Sequence, residues 1–216
     1  MSMNTFSADR ADFSQLDVVV VQESRHGQMF VRSLLAALKV GRIRGYDTAD
    51  GALREMRLDP PTLVITDWEM RARSGYWLLR HMRRADMEPL CFVPALVLTP
   101  EISWSMLDVA LETGVNSVLL KPISATVLRT RLHMLSSKSH RFVQRDGAYV
   151  PEASQHVLEE RMRAHESADT RAYRQKLRAF LESAVRDDDL VLDQLARRGQ
   201  PEVLDDGVAW KGWHVA

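Results

Sequence analysis

The chain has 216 residues, 45% of them hydrophobic and 27% charged, with 29 Lys+Arg against 29 Asp+Glu, which is the composition of an ordinary globular protein with room for one domain of about 120–150 residues and an appendage. The charge is evenly spread, 16 basic and 15 acidic residues up to Ser136 and 13 and 14 beyond it, so neither part carries the basic surface that nucleic-acid binding needs. A single cysteine, Cys91, excludes an internal disulfide and sits in an apolar run as a small core residue; with no basic, apolar leader and no run of about 18 apolar residues, a cytoplasmic location is expected.

Residues 1–15 read as a polar tail. From Leu16 to Ser136 short apolar runs alternate with helical patterns, the mark of a parallel sheet with crossover helices. The first run, "LDVVVV" (16–21), predicts a strand, and "GQMFVRSLLAAL" (27–38) predicts a helix with Met29, Phe30, Leu34, Leu35 and Leu38 on one inward stripe. A weaker strand at 42–46 and a short helix at 51–57 follow. The strand "TLVITD" (62–67) ends on Asp67, and the helix "GYWLLRHMRR" (75–84) turns Trp77, Leu78 and Met82 inward. Trp68 and Trp77 read as packing residues. Strands at 94–99 and 116–120 flank the helix "SWSMLDVALETG", whose glycine suits a helix C-terminus. The fifth helix, 124–135, takes Ser124 as its N-cap and faces Val127, Leu128, Leu132 and Leu135 inward. Five βα units result.

Residues 137–155 are polar, lack a stable period and read as a linker. Residues 156–216 read as a helical extension, with Tyr173, Leu177, Phe180, Leu181, Ala184 and Val185 on one face, a second short helix "LVLDQLARRG" ending at Gly199 before Pro201, and a tail bearing Trp210 and Trp213. A helix with such a stripe needs cover. The cover is a second copy of the chain, a partner protein or the chain's own α/β domain, with a homodimer favoured.

In an open parallel α/β sheet, ligands bind beyond the carboxyl ends of the strands. The residues there are Gln22 and Glu23, Asp67, Thr99, and Lys121 followed by Pro122. Carboxylates at one edge suit a hard divalent cation such as magnesium. Together with a hydroxyl and an ammonium, such a cation would orient phosphoryl oxygens while an aspartate attacks phosphorus. The histidines show no metal-ligand spacing, so no zinc site is expected.

These residues resemble the receiver domain of two-component response regulators over about residues 16–136. The spacing runs 44 residues from Glu23 to Asp67, 32 to Thr99 and 22 to Lys121. "DWEM" is similar to the family's Asp-x-x-Met segment, Gly75 follows at the family's interval, and "ALETGVNSVLLKP" resembles its Ala-x-x-x-Gly-Ala to Lys-Pro run. The resemblance implies a doubly wound five-stranded parallel sheet of flavodoxin-like, CheY-like order 2-1-3-4-5, and a signalling protein rather than an enzyme. It implies that Asp67 accepts a phosphoryl group from a histidine kinase or phosphotransfer protein. It also implies that Glu23, Asp67 and the backbone carbonyl of Glu69 bind Mg2+, with Gln22 reaching it through water, that Thr99 and Lys121 contact the phosphoryl group, and that a downstream protein reads the change on the face of the fourth helix, fifth strand and fifth helix.

Several residues depart from the family pattern. Gln22 stands where a second acid is usual, which predicts weak magnesium binding. Arg71 replaces a proline and Pro100 a small residue, narrowing access, while Glu69 and Glu101 add charge where water would approach. Val118 stands where many members carry an aromatic switch. Two alternatives stay open: a phosphorylation-independent scaffold, and a transcription regulator with a DNA-binding extension.

Overall fold

Alternating valines set the architecture. In the computed structural model, which describes residues 12–137 and 140–164 together with the isolated positions 175 and 179, the first strand β1 (Asp17–Val21) points Val18 and Val20 to one side of a sheet and Val19 and Val21 to the other. Both sides are buried, as a strand with helices on each face requires. The chain continues through α1 (Arg25–Ala37), β2 (Arg42–Tyr46), α2 (Ala49–Leu58), β3 (Leu63–Asp67), α3 (Gly75–Met82), β4 (Ala95–Thr99), α4 (Trp104–Thr113), β5 (Ser117–Leu120) and α5 (Ala125–Ser137). The strands pair in parallel in the order β2-β1-β3-β4-β5, the doubly wound arrangement expected from the sequence.

One core layer packs α1 and α5 on the sheet through Val31, Leu35, Leu38, Leu128, Leu132 and Leu135. The other packs α2, α3 and α4 through Met56, Trp77, Leu78, Leu79, Met82 and Ala110. Each such large side chain contributes about 1.5–3 kcal/mol on burial. The helix starts are fixed by hydroxyl caps: Ser24, Thr48, Ser74 and Ser103 accept from the backbone N–H groups of Gly27, Gly51, Trp77 and Met106, each worth about 1 kcal/mol. Ser124 does the same for Val127 N–H, and α4 ends at Gly114, whose φ of 91° a side chain would resist.

The inward stripes differ in part from expectation. Met29 and Phe30 on α1 are 68% and 49% exposed and Val127 on α5 is 45% exposed. The apolar positions of α1 span more of its circumference than the sheet can cover, and the sheet takes Val31, Leu35 and Leu38, spaced four and three residues apart. Cys91 is buried, as expected, and burial pushes its thiol up.

The stretch 137–155, expected as a linker, carries regular structure. Strands β6 (Phe142–Arg145) and β7 (Ala148–Pro151) form an antiparallel hairpin that leads into helix α6 (Glu152–Ala164). Its turn is Asp146-Gly147, both with positive φ of 50° and 78°, the conformation that a two-residue hairpin turn demands. The hairpin closes over Arg83, at the end of α3. Tyr149 N–H donates to Arg83 O at 2.7 Å and Ala85 N–H to Gly147 O at 3.1 Å. Arg83 itself is fully buried, and its guanidinium donates to the carbonyls of Gly114 (2.9 Å), Cys91 (2.7 Å) and Val93 (2.8 Å) and to Asn116 Oδ1 (3.0 Å), with the Phe142 ring 5.1 Å away. Ser154 Oγ then donates to Val115 O at 2.6 Å and Leu158 enters the α2–α3–α4 core layer, so α6 lies against α4. The Tyr173–Val185 stripe, the second short helix and the Trp210/Trp213 tail lie outside the described residues.

Candidate functional site

The carboxyl edge of the sheet collects its polar groups because each strand stops there. Gln22 follows β1, held by its N–H on Tyr46 O at 3.0 Å; Trp68 N–H, just past β3, donates to Leu98 O at 2.8 Å; Lys121 N–H, just past β5, donates to Thr99 O at 2.8 Å. Asp67 and Thr99 are the last residues of β3 and β4. The neighbouring order β1-β3-β4-β5 therefore brings Gln22, Asp67, Thr99 and Lys121 side by side.

Asp67 is the centre. Lys121 Nζ lies 2.7 Å from Asp67 Oδ1, and Gln22 Nε2 donates to the same oxygen at 2.6 Å. Both donors share Oδ1, while Oδ2 carries no hydrogen bond among the described residues. Gln22 is 1% exposed and Asp67 8% exposed, so the amide is a fixed part of the site. The other amide atom, Gln22 Oε1, is buried without a hydrogen-bond partner among the described residues, an unspent acceptor beside the carboxylate. The Lys121–Pro122 peptide is cis.

Glu23 and Thr99 turn elsewhere. Glu23 Oε2 accepts from the backbone N–H of Arg71 at 2.9 Å, and the Arg71 guanidinium stands 3.7 Å from Glu23 Oε1. Thr99 Oγ1 donates to Glu101 O at 2.7 Å and accepts from Glu101 N–H at 3.3 Å. Its hydroxyl is engaged by its own loop. Glu69, Pro100 and Glu101 are exposed. Gly75 lets the start of α3 press on the loop: its N–H donates to Trp68 O at 2.9 Å, and a Cβ there would run into the Asp67 carbonyl oxygen. Trp68 packs edge-on against Tyr76 at 6.1 Å.

The fit to a divalent cation is partial. Among the described residues no group of three or more His, Cys, Asp or Glu side chains is placed to hold a metal. Two carboxylates are present at the edge, Asp67 and Glu23, and magnesium accepts as few as one or two beside waters and carbonyls. Gln22 Oε1, without a hydrogen-bond partner among the described residues, adds a third oxygen, but Glu23 is held by Arg71. These residues fit a weakly bound ion.

Beside the site a cavity of about 360 Å³ is lined by Gln22, Gly27, Phe30, Val31, Leu98, Lys121, Pro122 and Ile123. It opens between α1, where Met29 and Phe30 are exposed, and the loop from β5 to α5.

The strand-end residues named from sequence are all at this edge, and Gln22, Asp67 and Lys121 are in direct contact. Sequence reasoning took Arg71 as an obstacle to access and missed its grip on Glu23, which no spacing rule encodes. It missed Arg83, one basic residue among several in "RHMRRAD". The Asp-Gly turn of the hairpin was visible in "RDGA" and outweighed by the polar residues around it.

The profile described as "Response regulator receiver domain" matches residues 18–133. The chemotaxis protein CheY-3 of Vibrio cholerae is 29% identical over 117 residues, 54% of this chain and 88% of that protein. The chemotaxis protein CheY of Pseudomonas aeruginosa is 28% identical over 120 residues, 56% of this chain and 95% of that protein. Among solved structures, Vibrio cholerae CheY4 superposes with a TM-score of 0.51 at 21% identity, covering 56% of this chain and 98% of that one. The receiver domain of a Pseudomonas aeruginosa sensor histidine kinase, which holds a magnesium ion in its active-site cleft, superposes with a TM-score of 0.52 at 20% identity, covering 57% and 98%. At that identity the two structures speak for the fold.

Proposed function

Because the chain belongs to the response regulator receiver family and so to two-component signalling, we propose that Asp67 is its phosphoacceptor, loaded in the cytoplasm by a histidine kinase or phosphotransfer protein and read out through protein–protein contacts. The observation that carries this reading is the pair of donors, Lys121 Nζ and Gln22 Nε2, on one oxygen of a strand-end aspartate. They fix the carboxylate and leave Oδ2 to attack. Oδ2 forms a bond to phosphorus as the P–N bond of the donor's phosphohistidine breaks, and the imidazole leaves with the electron pair and picks up a proton. Lys121 then pairs with a phosphoryl oxygen, and Thr99 leaves the Glu101 carbonyl to meet another. A magnesium ion, when bound, would be held by Asp67, Glu23 and the Glu69 carbonyl with Gln22 reaching it through water, and would offset phosphoryl charge. The exposed Met29 and Phe30 and the cavity beside them give a donor protein an apolar seat next to Asp67.

The downstream partner would read the α4–β5–α5 face. Part of α4 is covered by α6. The near-neutral charge of residues 137–216 argues against DNA binding, and among the described residues no helix is long and apolar enough to cross a membrane.

The test is intact mass of the full chain after incubation with phosphoramidate and magnesium. The expected result is one added phosphoryl group; an unchanged mass would favour the phosphorylation-independent scaffold instead.

The apolar stripe from Tyr173 to Val185 supports a homodimer through the C-terminal residues, since each such side chain left bare forfeits about 1.5–3 kcal/mol. Light scattering is expected to give twice the chain mass for the parent and a single chain mass for a Leu177→Asp, Phe180→Asp variant with Asp67 still labelled. A monomeric parent at high concentration would remove this part of the proposal.

A further inference from the structure

The cation that a receiver site normally demands has two tasks: it holds the aspartate in one orientation, and it offsets repulsion between clustered carboxylates and an anionic phosphoryl donor. In this chain both tasks have protein groups assigned to them. The orientation of Asp67 is set by Gln22 Nε2 at 2.6 Å and Lys121 Nζ at 2.7 Å, and the glutamine is buried to 1% exposure, so its amide cannot swing away into solvent. The charge is balanced as well. Gln22 is neutral where a second acid would stand, Lys121 neutralises Asp67, and the Arg71 backbone N–H at 2.9 Å and guanidinium at 3.7 Å engage Glu23. Asp67 thus faces one cationic group directly, while the Glu23–Arg71 pair, 42% and 92% exposed, is largely screened by water. Glu69 and Glu101, the remaining acids near the mouth, are exposed, where water and salt screen them.

We infer that this receiver accepts phosphoryl groups without a divalent cation, with the buried Gln22 amide holding the Asp67 carboxylate in the orientation that a cation would otherwise set; the inference rests on Asp67 being the phosphoacceptor. The step needs no other reactant than the donor. With phosphoramidate, Asp67 Oδ2 forms the O–P bond, the P–N bond breaks, and the nitrogen leaves as ammonia, its proton supplied by the donor's own protonated nitrogen. Magnesium remains a ligand that the site can take up, and one that it does not require.

The experiment follows labelling of the full chain by phosphoramidate, read by intact mass, in excess EDTA and in excess magnesium. The parent is expected to label at similar rates in both. Gln22→Asp restores the second acid, so it should label about tenfold or more slowly in EDTA than in magnesium, because an added unit charge at contact distance is a large electrostatic change. Arg71→Ala, on an exposed loop where folding is not at stake, should shift the same ratio in the same direction by a smaller factor and serves if Gln22→Asp does not fold. A parent that labels in magnesium and stays unlabelled in EDTA overturns this inference and leaves Asp67 as the acceptor. Labelling in neither condition overturns both. If both variants label in EDTA as fast as in magnesium, Gln22 and Arg71 are not what replaces the cation, and the inference is equally overturned.

Discussion

Asp67→Asn is expected to take up no phosphoryl group above background under conditions that label the parent chain, while keeping the parent's fold. The substitution is nearly isosteric, and the asparagine carbonyl can still accept from Gln22 Nε2 and Lys121 Nζ, which sit on Oδ1 of Asp67. What it removes is the anionic Oδ2, the nucleophile of the proposed step. Stability should change little, because both donors keep an acceptor oxygen and Lys121, its side chain 34% exposed, stays in contact with solvent when its counter-charge is removed. Circular dichroism checks the fold and intact mass checks the label. Equal labelling of the variant would move the phosphoacceptor elsewhere on the chain and sink the site assignment.

Arg83→Met is expected to destabilise the fold by on the order of 3 kcal/mol. Two effects oppose each other. Burying a guanidinium is costly, and the burial pushes Arg83 down to about 9, still charged at neutral pH. Against that, the fork meets four acceptors, and methionine would leave the carbonyls of Gly114, Cys91 and Val93 without their donors. Each orphaned buried acceptor costs about 1–3 kcal/mol. Asn116 Oδ1 keeps the Ala95 N–H at 2.9 Å, so the loss falls mainly on the three carbonyls. The orphaned acceptors outweigh the relieved desolvation. Urea unfolding of the parent and the variant reads the difference, and a change under about 1 kcal/mol would show that the buried charge was no net asset.

The sheet was legible in the sequence because its strands are short apolar runs closed by polar residues, and a parallel sheet buried on both faces allows little else. Strand ends were legible for the same reason, which is why Gln22, Asp67, Thr99 and Lys121 could be named before their neighbours were known. Which oxygen each donor chooses was not legible. Gln22 reads as a missing charge in the sequence, and in the structure it is a hydrogen-bond donor to the Asp67 carboxylate. Likewise Met29 and Phe30 carry the helical period as well as Leu35 does, and the register of α1 on the sheet decides which of them water sees. Arg83 escaped notice because a buried arginine and a solvated one are spelled alike; three of its four acceptors are backbone carbonyls, which sequence does not mark.

The hairpin over Arg83 sets where this receiver can be severed from whatever follows it. A graft that joined the α/β fold to a foreign output at the end of α5, where the last βα unit closes, would discard the roof of a buried cation and expose the Val115 carbonyl that Ser154 covers. The transplantable piece ends after Leu158, whose side chain is already part of the core. A foreign output attached beyond that point would inherit α6 as its stem, and with it a rigid orientation relative to α4 that a flexible tether at residue 137 could not transmit.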